Sequence, residues 1–128
     1  MPTITASSTV ADGIVWSQDS DYDTARDATS GMGYDNNDAH EGLAIRTNYH
    51  RGAYFLGRAF LRFDVSDVIS LPTSATLSVH GYSKNGIARV QCIKASQGST
   101  LTTPDWDAIP GWQTGGGDNT GNVTVYSL

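Results

Sequence analysis

The chain has 128 residues, of which 38% are hydrophobic and 16% charged, and its formal net charge is −5. A length of this order predicts a single domain over residues 1–128 that is large enough to bury a hydrophobic core. The acidic balance excludes nucleic acid as the expected partner, because phosphate binding needs clustered lysine and arginine, and no apolar run approaches the length of a membrane-spanning helix.

Short apolar runs separated by Gly, Ser, Thr, Asn and Asp indicate an all-β protein. No window of helical length repeats apolar residues at i, i+3, i+4 and i+7, and the chain holds a single glutamate, Glu41. We therefore expect an antiparallel β-sandwich, jelly-roll-like and with long loops.

The first third of the chain predicts two strands and a long loop. The strands lie at residues 2–6 and 13–17, and Ile14 and Trp16 share one face of the second. Residues 18–41 read as loop with one helical turn at 22–28. A loop of this length in a compact domain is usually functional or pinned by neighbouring structure.

A strand at 42–47, with Leu43 and Ile45 inward, and a second loop at 48–56 lead into the central stretch, residues 57–69. In that stretch apolar side chains occupy every second position: Ala59, Leu61, Phe63 and Val65. This alternation predicts a strand, and Phe60 on the opposite face predicts that both faces are partly covered. Asp64 is expected to cap the following corner or to pair with Arg58 or Arg62.

Three further strands are predicted at residues 75–82, 88–95 and 122–126. Asn85 and Gly86 tolerate positive φ and predict a hairpin between the first two of them. Residues 97–121 read as another loop. Cys92 is the chain's single cysteine, so it cannot form an internal disulfide, and we expect it to be a small core residue.

The stretch GRAFLRFDVSDVISLPTSATLSVHGYSK resembles the DNRLRE-type family of β-sandwich modules, which includes carbohydrate-binding-module-like domains. The positions that carry the resemblance are Arg58, Phe60, Leu61, Phe63, Asp64, Ser66, Ile69, Pro72, Ala75, Thr76 and Leu77. The segments DGIVWSQDSDYDTARDATSG and ASQGSTLTTPDWDAIPGW are similar to parts of the same modules in phage and other virion proteins. The resemblance implies the fold more than the function, because such modules occur in tail fibres, capsid decorations, adhesins and glycan-active enzymes.

The family also implies about eight strands over a longer chain, as in a jelly roll. Three explanations are open: residues 1–128 are the N-terminal part of a longer protein, the sandwich is short, or a neighbouring subunit adds a strand. We expect the first, and strand addition next.

Three aspartates with alternate spacing, Asp19, Asp21 and Asp23, form a candidate calcium site, because Ca²⁺ takes six to eight oxygen ligands. The spacing lacks the glycine and terminal glutamate of an EF-hand loop. The alternative interpretation is a solvated acidic loop with Asx-turns. No other cofactor is expected.

Four aromatic residues in predicted loops are candidate ligand-binding residues: Trp106, Trp112, Tyr49 and Tyr54. Such rings can stack on sugar rings, or the tryptophans can cover one end of the sandwich or a subunit interface. No catalytic residues are expected: His40, His50 and His80 lack metal-ligand spacing. Asp105 and Asp107, two positions apart, fit turn capping better than the carboxylate pair of a glycosidase.

These observations favour a non-enzymatic structural protein of a virion, most simply a bacteriophage capsid decoration or tail-fibre component. The absence of a signal-peptide pattern after Met1 fits a protein made in the host cytoplasm and displayed on the virion surface. Other virion proteins and copies of the chain itself are the expected partners. The first third of the chain is acidic and the middle is basic; these regions either neutralise each other within one domain or meet between subunits. The alternative is a carbohydrate-binding or adhesion module of a tail fibre or extracellular protein, with a host-surface glycan as ligand.

Overall fold

A four-stranded antiparallel sheet organises the part of the chain that this computed structural model describes, which comprises residues 12–36, 45–64, 66, 76, 91–112, 123 and 125–126. The elements are β1 (Gly13–Asp19), α1 (Tyr22–Arg26), β2 (Gly33–Asp35), β3 (Arg46–His50), β4 (Ala53–Phe60), β5 (Cys92–Ile93), a 3₁₀ helix (Thr103–Asp107) and β6 (Val125–Tyr126). The sheet order is β2-β1-β4-β3, and β5 pairs separately with β6. The described fold is therefore strand-rich with little helix, as an all-β protein requires.

The two central strands, β1 and β4, set the two faces of the sheet. Their antiparallel register places Val15 opposite Arg58 and Ser17 opposite Leu56, so these four side chains share one face. That face is covered by α1 and the 3₁₀ helix. The core on this side consists of six buried side chains: Val15, Ala25, Leu56, Phe60, Leu101 and Trp106.

The helix α1 is short and is stabilised by side-chain contacts at both ends. The carboxylate of Asp21 accepts a hydrogen bond from the backbone N–H of Thr24 at 2.8 Å, which is N-cap geometry. Arg26 in the last turn pairs with Asp23 at 3.0 Å. A five-residue helix is not stable alone, so the burial of Ala25 against the sheet keeps it in place.

Several predicted elements are confirmed, and others are wrong. The strand at 13–17 and the helical turn at 22–28 are present as β1 and α1. The predicted loop at 18–41 also contains β2. The predicted loop at 48–56 is wrong, because β3 and β4 form a hairpin there.

The predicted central strand begins earlier and ends earlier than expected. In the structure β4 ends at Phe60, which is buried, whereas Leu61 is 38% and Phe63 is 45% exposed. As predicted, β4 is an inner strand of its sheet with both faces partly covered, since Phe60 is buried and Ala59 is half-buried. Ile45, predicted inward, is 59% exposed.

Four predictions lie wholly or mostly outside the described residues: the strand at 2–6, residues 42–44 of the next strand, the strand at 75–82 and the Asn85–Gly86 hairpin. Of the strands predicted at 88–95 and 122–126, the structure describes the pairing of Cys92 with Tyr126 and of Ile93 with Val125. One of the two roles predicted for Asp64, capping the corner after the central stretch, is confirmed. Its carboxylate accepts a hydrogen bond from the Ser66 N–H at 2.9 Å.

Candidate functional site

Arg58 lies at the centre of the covered face, between two tryptophan rings. Its guanidinium carbon is 4.0 Å from the ring centroid of Trp106 and 4.5 Å from that of Trp112. Its Nη1 donates to the backbone carbonyl of Trp106, and its Nη2 donates to the carbonyl of Arg26 at 2.9 Å. One side chain from β4 therefore joins the end of α1 to the 3₁₀ helix and the segment after it. We call this group the arginine clamp.

The arginine clamp keeps a cation in a water-poor environment. Burial lowers the pKa of Arg58 to about 10, an effect that nearby Asp107 and Asp27 partly offset. A pKa of about 10 still leaves the guanidinium charged at neutral pH. The positive charge is therefore held by indole faces and carbonyl oxygens in place of water.

The neighbouring carboxylates of the 3₁₀ helix serve different purposes. Asp105 is buried, and its Oδ2 accepts from the Thr102 N–H at 2.7 Å and the Thr102 hydroxyl at 2.9 Å. Its Oδ1 accepts from the Gly98 N–H at 3.3 Å. The prediction that Asp105 caps a turn is confirmed.

Asp107 faces the clamp instead. Burial raises the pKa of its carboxyl group, and attraction to Arg58 opposes that rise. Its Oδ1 and the indole Nε1 atoms of Trp106 and Trp112 are buried without a hydrogen-bond partner among the described residues. Asp105 and Asp107 thus have unlike environments, and Asp105 is fully engaged in holding the backbone.

The predicted role of the tryptophans as sugar-stacking surfaces does not fit their positions. Trp106 is 1% exposed and belongs to the core, so its ring is closed to a ligand. Trp112 is half-buried and stacks on Arg58. Both rings contact the guanidinium of Arg58, which fits the alternative interpretation that the tryptophans cover part of the fold.

Tyr49 and Tyr54, the other two predicted ligand-binding residues, do come together and are joined by Tyr22. Tyr49 and Tyr54 are register partners in the β3–β4 hairpin, with ring centroids 4.8 Å apart. Tyr22 at the start of α1 meets Tyr54 edge-on at 5.6 Å. Tyr22 and Tyr49 are exposed, and Tyr54 lies half-buried between them. We call these three residues the tyrosine cluster.

The three aspartates of the candidate calcium site do not converge. Asp19 accepts from the Asp21 N–H at 3.0 Å, Asp21 caps α1, and Asp23 pairs with Arg26. In the described part of the chain, no group of three or more His, Cys, Asp or Glu side chains is arranged to hold a metal ion. The calcium interpretation is therefore not supported, and the local contacts are those of the alternative, an acidic loop with Asx-turns.

The sequence analysis did not identify Arg58 as the centre of a clamp, nor Tyr22 as a member of the tyrosine cluster. The signal for Arg58 was its place between Leu56 and Phe60 at a spacing of two, which predicts that all three side chains point to the same face. Tyr22 carried no comparable signal, because its partners lie on a hairpin that was predicted as loop.

Comparisons with family models, curated proteins and solved structures gave no match to this chain. Within the described residues, no helix is long and apolar enough to cross a membrane. The resemblance to the DNRLRE-type modules therefore stays a prediction.

Proposed function

We propose that this chain is a non-enzymatic structural protein of a virus particle, a jelly-roll-like β-sandwich module that acts through assembly with copies of itself and with other virion proteins. The resemblance of residues 57–84 to DNRLRE-type β-sandwich modules supports the proposal, as does the similarity of the segments before and after them to such modules in virion proteins. The observation that carries it is the state of the edge strand β3.

Strand β3 lies at one end of the sheet, and all five of its residues are exposed. Ile45 immediately before it is 59% exposed and Tyr49 within it is 62% exposed. Among the described elements, β3 pairs with β4 alone. An exposed edge strand that pairs on one side offers backbone groups to which another chain can add a strand.

Charge supports contact between copies of the chain. The hairpin carries Arg46 and Arg51 together with His50, whereas the segment from Asp19 to Asp27 holds four aspartates and one arginine. A basic edge on one copy complements an acidic surface on the next, as in a head-to-tail interface.

Native mass spectrometry at low micromolar concentration tests the proposal. We expect a closed oligomer, and we expect the double variant Ile45→Glu, Thr47→Glu, at and just before the start of β3, to shift it to monomer, because carboxylates oppose both strand pairing at this edge and attraction to an acidic surface. Ser99→Glu adds a carboxylate at an exposed site away from β3 and serves as the control. A wild-type chain that stays monomeric overturns assembly through this edge, and antibodies against the chain that fail to label intact particles overturn the virion location.

A second candidate function is glycan binding or adhesion by a tail-fibre or extracellular module. The tyrosine cluster favours it, since aromatic rings open to solvent are suited to stack on sugars. This function predicts that the isolated monomer binds sugar, which an assembly protein does not require.

A further inference from the structure

We infer that the tyrosine cluster is a binding site for a neutral glycan, a proposal that rests on the second candidate function above. The inference starts from the way three separate elements hold the rings. Tyr49 and Tyr54 are fixed by the strand register of the hairpin, and Tyr22 is fixed by the capped first turn of α1. Rings held in this way before a ligand arrives lose little freedom on binding.

The rings are arranged as a cradle. The planes of Tyr22 and Tyr54 are 78° apart, and those of Tyr49 and Tyr54 are 54° apart. Three rings at such angles cannot lie together against a flat polysaccharide surface. They suit a soluble oligosaccharide whose sugar rings present C–H faces to one tyrosine and edges to another.

The carboxylate groups near the three rings indicate that the ligand is an uncharged sugar. Asp19 is the register partner of Tyr54, and Asp21 and Asp23 flank Tyr22 in the chain. Carboxylates accept hydrogen bonds from sugar hydroxyls and repel acidic sugars. Arg26 lies 5.7 Å from the centroid of the Tyr22 ring, and its charge is paired with Asp23 and Asp27. The preference for uncharged sugars therefore rests on Asp19 and Asp21, which outnumber Arg51, the cation that follows Tyr49 by two positions.

An exposed tyrosine cluster also suits a protein partner, because tyrosine is enriched in protein interfaces. The tilted rings and the carboxylates beside them favour the sugar, since aspartate is depleted in the cores of protein interfaces and can accept hydrogen bonds from sugar hydroxyls. Binding of a protein in place of any glycan is therefore one outcome of the test.

The experiment is a titration of the full chain with neutral gluco-, galacto- and manno-oligosaccharides and with matched oligosaccharides that end in a uronic or sialic acid. Binding is followed by calorimetry and by NMR shifts of the tyrosine ring protons. We expect a neutral oligosaccharide to bind more tightly than its acidic counterpart and to shift the resonances of all three rings. Tyr49→Ala should weaken binding about tenfold, which corresponds to a stacking contact and its buried area.

Two further variants complete the test. Tyr22→Ala removes a second ring of the cluster and should also weaken binding, whereas Tyr34→Ala removes an exposed tyrosine of β2 outside the cluster and should leave the affinity unchanged. If no glycan binds, or a protein binds instead, both the second candidate function and this inference fail. If a glycan binds but Tyr49→Ala leaves its affinity unaltered, the function stands and the site is overturned; tighter binding of acidic sugars overturns the neutral class.

Discussion

Arg58 and Trp106 contact each other in two ways, although 48 positions separate them in the chain. The guanidinium lies over the indole ring at 4.0 Å from its centroid and also donates a hydrogen bond to the carbonyl of the same residue. The side chain of Arg58 thus packs on the ring of Trp106 and pairs with its backbone. This double contact fixes the 3₁₀ helix against β4 more firmly than either contact alone.

Removal of the arginine clamp should strongly destabilise the protein. We expect Arg58→Ala to lower the free energy of unfolding by about 3 kcal/mol, because two charge-assisted hydrogen bonds and two cation–π contacts are lost. Arg58→Lys should recover only part of this loss, since an ammonium group lacks the planar fork that stacks between rings. Urea unfolding measures both variants. Arg62→Ala, at an exposed position, is the control, and an equal effect there would contradict the assignment.

The ionisation of Asp107 should affect how the free energy of unfolding depends on pH. Burial raises the pKa of its carboxyl group in the folded protein. Its stabilising contribution is therefore present below the unfolded pKa of about 3.9 and is lost as the pH rises through the folded pKa. We expect Asp107→Asn to raise the free energy of unfolding at neutral pH and to have little effect in acid, as measured by thermal melts across pH.

Asp64 supplies a control of opposite sign. The backbone N–H of Ser66 lowers the pKa of Asp64, so its contribution is present above the unfolded pKa and is lost as the pH falls. Asp64→Asn should therefore be slightly less stable than wild type at neutral pH. A loss of stability in Asp107→Asn at neutral pH would show that attraction to Arg58 outweighs burial.

Close packing around Gly31 predicts that even one added methyl group is costly. A Cβ atom at this position would lie 2.5 Å from Val15 Cγ1 and 2.9 Å from the Trp16 carbonyl oxygen. Because Val15 is fully buried, neither neighbour can move freely, and Gly31→Ala should lower the free energy of unfolding by about 1–3 kcal/mol. Gly98→Ala is the matched control, with its nearest heavy atom at 3.8 Å. Chemical denaturation that finds the two variants equal would refute the close approach.

The hairpin turn offers a stabilising substitution. Arg51 has φ of 52° and Gly52 has φ of 84°, as a two-residue turn between β3 and β4 requires. Arginine adopts this conformation at a cost, whereas asparagine tolerates it. Arg51→Asn should raise the free energy of unfolding by about 0.5–1 kcal/mol. Differential scanning calorimetry checks this, and Arg51→Ala, which keeps the strained backbone, should show no such gain.

Local features of this protein were accessible from its sequence. The helical turn of α1 and the capping by Asp64 and Asp105 depend on groups within three positions of one another, apart from the contact of Asp105 with Gly98. The first strand was predicted from its own alternation, although its partner strands are distant in the chain. Side-chain oxygens that bond the nearby backbone leave a readable pattern of Asp, Ser and Thr. The strand-rich fold class was also predictable, because period-2 alternation and scarce helix formers are properties of composition and order alone.

The tertiary structure alone decided which of these residues meet. Whether Phe60 or Leu61 points to the core depends on what packs on the sheet, and alternation by itself is the same for either phase. The sequence left Trp106 as either a sugar-stacking ring or a ring that covers the fold, and only its contact with Arg58 decided for burial. Tyr22 contacts Tyr54 only because α1 packs beside β4. Contacts across 32 to 48 positions arise from strand order and register, which no short segment encodes.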